Sequence, residues 1–193
     1  MNRIMYISDL HFYHTNILMF DNRPWTDIEK MNEDLVEIWN KKVDDGDTVY
    51  ILGDLAMKGG ESLLNIVKRL NGHKILIKGN HDRISPQLAK EFNNKIYDYL
   101  EIKDDGRNVV LSHYPIPCFN KHYYGGFALY GHVHQSHEWS FMEHIRRSFE
   151  EIDIPCNMMN VGCCIPYMEY EPKTLDEIID GYNILDWYKV IEN

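Results

Sequence analysis

Asp9 and His11 stand two residues apart, just after the apolar run Ile4-Met5-Tyr6-Ile7. In an extended segment, side chains two apart point the same way, so a carboxylate oxygen and an imidazole nitrogen can aim at one object. That donor pair suits a divalent transition metal. The juxtaposition recurs down the chain. Thr48 to Leu52 runs into Gly53-Asp54, and His73 to Lys78 into Gly79-Asn80-His81-Asp82. Asn108 to Ser112 meets His113, and Phe127 to Tyr130 meets Gly131-His132-Val133-His134. Five of the ten histidines lie at the ends of such runs. A single histidine at a strand end is an ordinary polar cap; a set that tracks strand ends is not scatter. In α/β sheets, ligands bind at the carboxyl ends of strands. The seven donors Asp9, His11, Asp54, Asn80, His113, His132 and His134 exceed one ordinary site, and two ions sharing a bridging carboxylate account for them.

The elements that must carry these residues follow from the apolar pattern. A first strand over about 3–8 leads into a polar and aromatic loop through Asp21 to Trp25. Thr26-Asp27-Ile28-Glu29 reads as a capping box, followed by a helical face of Ile28, Met31, Leu35 and Ile38 with Trp39 beside it. Asp45-Gly46-Asp47 is a turn before the strand 48–52. Glu61 to Leu70 is a helix stopped by Asn71-Gly72, and His73 to Lys78 a third strand. Ser85-Pro86 opens a short helix. This alternation predicts an α/β architecture.

Ile96 to Lys103 and Asn108 to Ser112 then flank Asp104-Asp105-Gly106-Arg107 as a hairpin. A strand follows at 127–130, then a helix over about 141–152 packing Phe141, Ile145, Phe149 and Ile152. A short strand lies at 158–161. Thr174-Leu175-Asp176-Glu177 is a second capping box, starting a helix through Ile179, and Tyr182 to Ile191 reads as a final strand or packing segment. With no repeat, low-complexity tract or linker, residues 1–193 are expected to form one domain.

Composition narrows the function classes. A chain of 193 residues with 44% hydrophobic and 26% charged residues suits a globular domain with a real core. Twenty Lys and Arg against thirty Asp and Glu give −10, which disfavours broad binding to duplex nucleic acid. A metal site can still reverse the sign locally and admit an anionic small substrate. No apolar run approaches the roughly 20 residues that span a bilayer. The N-terminal apolar stretch is too short for a signal peptide, so a cytoplasmic location is expected. Cys118, Cys156, Cys163 and Cys164 form no C-x-x-C pair, and reduced thiols are the default.

Taken together, Asp9-x-His11, Gly53-Asp54, Gly79-Asn80-His81-Asp82, His113 and Gly131-His132-x-His134 resemble, in order, the motifs of the calcineurin-like metallophosphoesterase family. Asn160-Val161-Gly162 resembles a further feature of that family. Ser8 to Ile17 is similar to a small bacterial and phage branch, in which position 13 is often Gly; Tyr13 therefore predicts a different local backbone. The resemblance implies an α/β–β sandwich of two mixed sheets flanked by helices. It implies one metal on Asp9, His11, Asp54 and His134, a second on Asp54, Asn80, His113 and His132, and Asp54 as the bridge. Mn2+ is the first choice; Fe, Zn2+ and Ni2+ suit the same donors. Metal-activated water would attack the phosphorus. His81 resembles the general acid for the leaving group, with Asp82 orienting or charging it. His14, Arg23 and Arg83 are candidate substrate contacts, the guanidinium being well shaped for phosphate. Tyr114 is expected to pack by the metal loop. The expected activity is hydrolysis of a nucleotide or other small phosphodiester. The alternatives are a phosphomonoesterase or phosphoprotein phosphatase, a nuclease, or a non-catalytic scaffold.

Overall fold

The computed structural model describes residues 2–185. The apolar runs become eight strands in two four-stranded sheets. The first sheet is parallel, in the order β1 (Ile4–Ile7), β2 (Thr48–Ile51), β3 (His73–Ile77) and β4 (Ile96–Tyr97). Met5, Tyr6, Ile7, Val49, Ile51, Leu76 and Ile77 are all buried, as expected of a parallel sheet covered on both faces. The second sheet runs β5 (Tyr99–Asp104), β6 (Arg107–Ser112), β7 (Phe127–Tyr130) and β8 (Asn157–Asn160). β5 and β6 form an antiparallel hairpin, and β6, β7 and β8 are parallel. The hairpin turns at Asp105-Gly106, both at positive φ (47° and 79°), the conformation a two-residue turn needs to match strand twist. One continuous core joins the sheets and helices.

The helices are α1 (Ile17–Phe20), α2 (Ile28–Lys42), α3 (Glu61–Arg69), α4 (Pro86–Glu91), α5 (His137–Glu150) and α6 (Leu175–Ile184). Ser85 caps α4 through the Leu88 N–H, and Thr174 and Glu177 form the expected capping box on α6. Elsewhere the boundaries differ from expectation. α2 is capped by Asp27, whose carboxylate accepts from the Lys30 N–H at 2.7 Å, so no box forms on Thr26. Ile96 to Lys103 is not one strand: it divides at Asp98, the first part extending the parallel sheet and the second starting the other. α5 begins four residues early, capped by Ser136, and buries Trp139, Met142 and Glu143. Ile145 and Phe149 pack against the core as expected, but Phe141 is 64% exposed, on the face opposite the buried Trp139 ring, and Ile152, also 64% exposed, lies past the end of α5. α6 runs through Tyr182 to Ile184, so no strand starts at Tyr182; residues 186–193 of that expectation lie outside the described residues. The four cysteines are free thiols. Among the described residues no helix is long and apolar enough to cross a membrane.

The carboxyl ends of β1, β2, β3, β6, β7 and β8 come together at one edge of the core. The Ser8 N–H donates to the Val161 carbonyl and the Cys163 N–H to the Ser8 carbonyl, tying the exit of β1 to the exit of β8.

Candidate metal centre

The exit of β1 does not stay extended. Asp9, His11 and Tyr13 have φ of 57°, 53° and 59°, alternate residues in the left-handed region. Asp9 and His11 converge because the chain coils, and the extended geometry expected for them is replaced. The coil tracks the exit of β2: the N–H groups of Asp9, His11 and Phe12 donate to the carbonyls of Gly53, Asp54 and Leu55 at 3.0, 3.0 and 2.9 Å. Asp54, His132 and His134 are also left-handed, at 50°, 71° and 46°. Such residues cost on the order of 1–3 kcal/mol each and persist where surrounding structure over-determines them, most often at functional sites. Tyr13 takes a conformation glycine enters freely, so the expected departure of its backbone from a glycine-like one is not found. Asn32 on α2, buried, accepts from the Tyr13 N–H and pins that turn.

Two glycines let the loops approach the carboxylates. A Cβ on Gly79 would overlap Asp54 Oδ1, and one on Gly131 would lie 2.6 Å from Asp9 Oδ2. Any larger residue would displace the oxygens that the site presents.

Two groups of donors result. Asp9, His11 and His134 form one, and Asp54, His113 and His132 the other; within each, the ligand atoms lie within 4.8 Å of one another. Metal–ligand bonds of about 2.0–2.2 Å place neighbouring donors roughly 3 Å apart, so both groups are near the right size. His11 Nε2 and His134 Nε2 are 3.2 Å apart, and Asp9 Oδ1 is 3.8 Å from the latter. Asp54 Oδ2 lies 3.7 Å from His11 Nε2 and 3.5 Å from His113 Nε2, between the two groups. Asn80 Oδ1 is 3.0 Å from His113 Nε2, which adds it to the second group. The far ring nitrogens are held as metal-binding histidines require. His113 Nδ1 donates to the Leu52 carbonyl (2.8 Å), leaving Nε2 as the free donor, and His134 Nδ1 faces Asp21 Oδ1 (2.7 Å).

The electrostatics favour a cation. Asp9 is fully buried, and burial pushes its carboxyl up, with the His134 and His113 imidazoles opposing. Burial pushes Asp54 up as well, but His113, the His81 N–H and His11 outweigh it and hold Asp54 at about 2. Burial drives His11 down to about 2, aided by His134 and Arg23, so it is a neutral donor. Among the described residues no Lys or Arg pairs with either carboxylate. Carboxylates and imidazoles at these separations are the donor set of a divalent transition ion.

Around the donors the sequence-predicted residues fall out unequally. His81 lines the cavity of about 510 Å³ over the site, its Nε2 3.9 Å from Asp54 Oδ2 and its side chain 36% exposed. His14 lines it too, its ring 6.2 Å from that of His81, and burial lowers its pKa. The Tyr114 ring lies tilted against that of His132, centroids 4.4 Å apart, and its hydroxyl reaches Asn80 Oδ1, packing by the metal loop as expected. Asn160 donates to the His134 carbonyl and accepts from the Gly162 N–H.

Two expectations are corrected. Asp82 neither orients nor charges His81: it is buried, and its carboxylate accepts from the N–H groups of Asp54, Leu55 and Gly79 at 3.0, 2.9 and 2.8 Å. It clamps the loop that presents Asp54. Arg23 cannot meet a substrate: its side chain is fully buried and its guanidinium is committed to Asp21 and to the carbonyls of Asp9 and Leu10. Arg83 is exposed beside the Gly59 backbone and is not among the residues lining the cavity.

Asp21 is the residue missed. Its only sequence signal is a carboxylate two positions before Arg23. Asp21, His134 and Cys164 also group closely, but there Asp21 is already engaged by His134 Nδ1 and by Arg23.

Over 183 residues the chain is 31% identical to an uncharacterised protein of Methanocaldococcus jannaschii, covering 93% of this chain and 90% of that one. It is 33% identical over 133 residues to the Gene 66 protein of a Mycobacterium phage, covering 60% of this chain and 65% of the phage protein. Its structure is similar to that of a protein of unknown function from Aquifex aeolicus, with a TM-score of 0.67 at 27% identity, covering 93% and 99% of the two chains. Residues 2–159 match the model of the calcineurin-like phosphoesterases. That match spans both donor groups, and the chain belongs to the calcineurin-like phosphoesterase family, as a metal-dependent phosphoric ester hydrolase.

Proposed function

We propose that the protein hydrolyses small phosphodiesters, nucleotide-like ones first, at a centre of two divalent ions. One observation carries the two-ion reading: Asp54 Oδ2 lies between His11 Nε2 and His113 Nε2, 3.7 and 3.5 Å away, as a carboxylate shared by both donor groups would. Asp9, His11, Asp54 and His134 would hold one ion, and Asp54, Asn80, His113 and His132 the other. Mn2+ is the first choice for this mix of oxygen and nitrogen donors. When bound, the pair supplies an acidified water and a positive seat for phosphate oxygens.

The remaining steps belong to side chains of the chain itself. Tyr114 and His14 would flank a phosphoryl group held over the donor loops. His81, half-open to the cavity, donates its proton to the leaving oxygen as the P–O bond breaks. Asp82 holds the Asp54 loop still during this step, and Asn160 holds the loop of His134. A fixed arrangement matters because charge stabilisation acts only if the groups need not reorganise as the reaction proceeds.

The test is direct. Purified protein should carry about two transition ions per chain. With Mn2+ it should hydrolyse bis-p-nitrophenyl phosphate faster than p-nitrophenyl phosphate. The reverse preference would make it a monoesterase, and no metal-dependent hydrolysis of either would sink the proposal. His81→Ala should slow esters with poor leaving groups most; an equal loss for all leaving groups removes the acid role.

A further inference from the structure

Arg23 and Asp21 form a buried pair beneath one half of the site. Resting on the two-ion reading, we infer that this pair is a positioning device for the ion held by Asp9, His11 and His134, setting its affinity by bracing both loops that supply those donors. Asp21 spans the gap with its two oxygens. Oδ1 meets His134 Nδ1 at 2.7 Å, and Oδ2 accepts from Arg23 Nε and Nη2 at 3.0 and 2.9 Å. Arg23 in turn donates Nη2 to the Asp9 carbonyl (2.7 Å) and Nη1 to the Leu10 carbonyl (2.9 Å). The chain of bonds thus runs from the coil carrying Asp9 and His11, through Arg23 and Asp21, to the ring of His134.

Each link has a physical consequence. A carboxylate behind a ligating imidazole fixes the tautomer and ring orientation and raises the basicity of the nitrogen that binds the metal. With Nδ1–H directed at Asp21, the lone pair of His134 Nε2 faces His11 Nε2, 3.2 Å away. The guanidinium satisfies carbonyls that the left-handed turns at Asp9 and His11 remove from regular strand pairing. Its charge is matched by Asp21, so it does not stand as an unpaired cation under a cation site. The second group is braced separately: His113 leans on the Leu52 carbonyl, and Asp82 holds the N–H groups of Asp54, Leu55 and Gly79. Asp21→Ala should therefore weaken one ion and spare the other.

The experiment titrates Mn2+ into chelator-stripped full-length protein by calorimetry. In wild type two equivalents are expected. In Asp21→Ala one equivalent should bind about 10–100-fold more weakly, the usual cost of losing such a partner. Asp21→Asn, which keeps the volume, guards against a folding defect, and thermal melting of the metal-free proteins reports any defect directly. A double-mutant cycle with His134→Ala isolates the route: once His134 is gone, removing Asp21 should weaken Mn2+ much less than it does in wild type, the remainder being the Arg23 brace on the Asp9 and Leu10 carbonyls. Additive losses would overturn the route through His134. An affinity that Asp21→Ala leaves within about twofold overturns the inference whatever the stoichiometry. Fewer than two ions on wild type overturns the two-ion reading alone.

Discussion

Asp47 and Asp9 are buried aspartates at opposite ends of the same parallel sheet, 2% and 0% exposed. Asp47 precedes β2. Its carboxylate accepts from the Arg3 N–H at 2.8 Å, from Arg3 Nη2 at 2.5 Å and from the Asp44 N–H at 3.0 Å. Burial pushes this carboxyl up, but Arg3 and those N–H groups outweigh it and bring it to about 2. Asp9 follows β1. It accepts from Ser8 Oγ at 2.7 Å and the His132 N–H at 3.0 Å and meets no Lys or Arg among the described residues. There burial wins and the carboxyl is pushed up. One end of the sheet is neutralised within the protein; the other is organised but left short of positive charge. A centre that binds cations must be built the second way, because a resident Lys or Arg would take the metal's place.

Substitutions test that contrast, and the largest effect is expected at Asp54. Asp54→Asn should lower hydrolysis on the order of 10³-fold and strip metal from the protein, since both donor groups lose a charged oxygen. Steady-state rates with metal analysis check this; turnover within tenfold of wild type would mean the site end is not organised around that carboxylate. Asp82→Ala should come next. It leaves the N–H groups of Asp54, Leu55 and Gly79 without their acceptor, a cost of about 3 kcal/mol in urea unfolding of the metal-free protein.

Asp47→Asn should cost about 2 kcal/mol at neutral pH. The sign follows from the folded carboxyl at about 2 lying below the ordinary value near 3.9. Stability from this group is complete above that ordinary value and is lost as pH falls toward 2. Acid unfolding of Asp47→Asn should accordingly be flatter than wild type between those pH values. Asp9→Asn should have the opposite sign in the metal-free protein, a gain of about 1 kcal/mol at neutral pH, because a buried charge without a cation is removed. Destabilisation by Asp9→Asn as large as that of Asp47→Asn would erase the distinction between the two ends.

The same division separates what was legible in the chain from what was not. The donor residues, the hairpin around Asp105-Gly106 and the caps at Ser85 and Thr174 could be read locally, since each depends on residue type and neighbours a few positions away. The buried face of α5 could not, because Trp139 outranks the apolar stripe that includes Phe141. The break at Asp98 was hidden for a similar reason: Ile96 to Lys103 is uniformly strand-like, and only the two sheets decide where it divides.

The site followed the same rule. Residue types and their order were enough to show that Asp, Asn and His donors stand at the ends of apolar runs, in the order of a metal-dependent phosphoesterase. Tertiary structure alone decided that Asp9 and His11 converge through left-handed turns, that Asp82 clamps a loop instead of serving His81, and that Arg23 is spent beneath the site with Asp21. The physical reason is reach. A metal-binding donor is recognisable from its own chemistry, whereas the partner of a buried guanidinium or carboxylate depends on which backbone passes within about 3 Å, and long-range packing sets that.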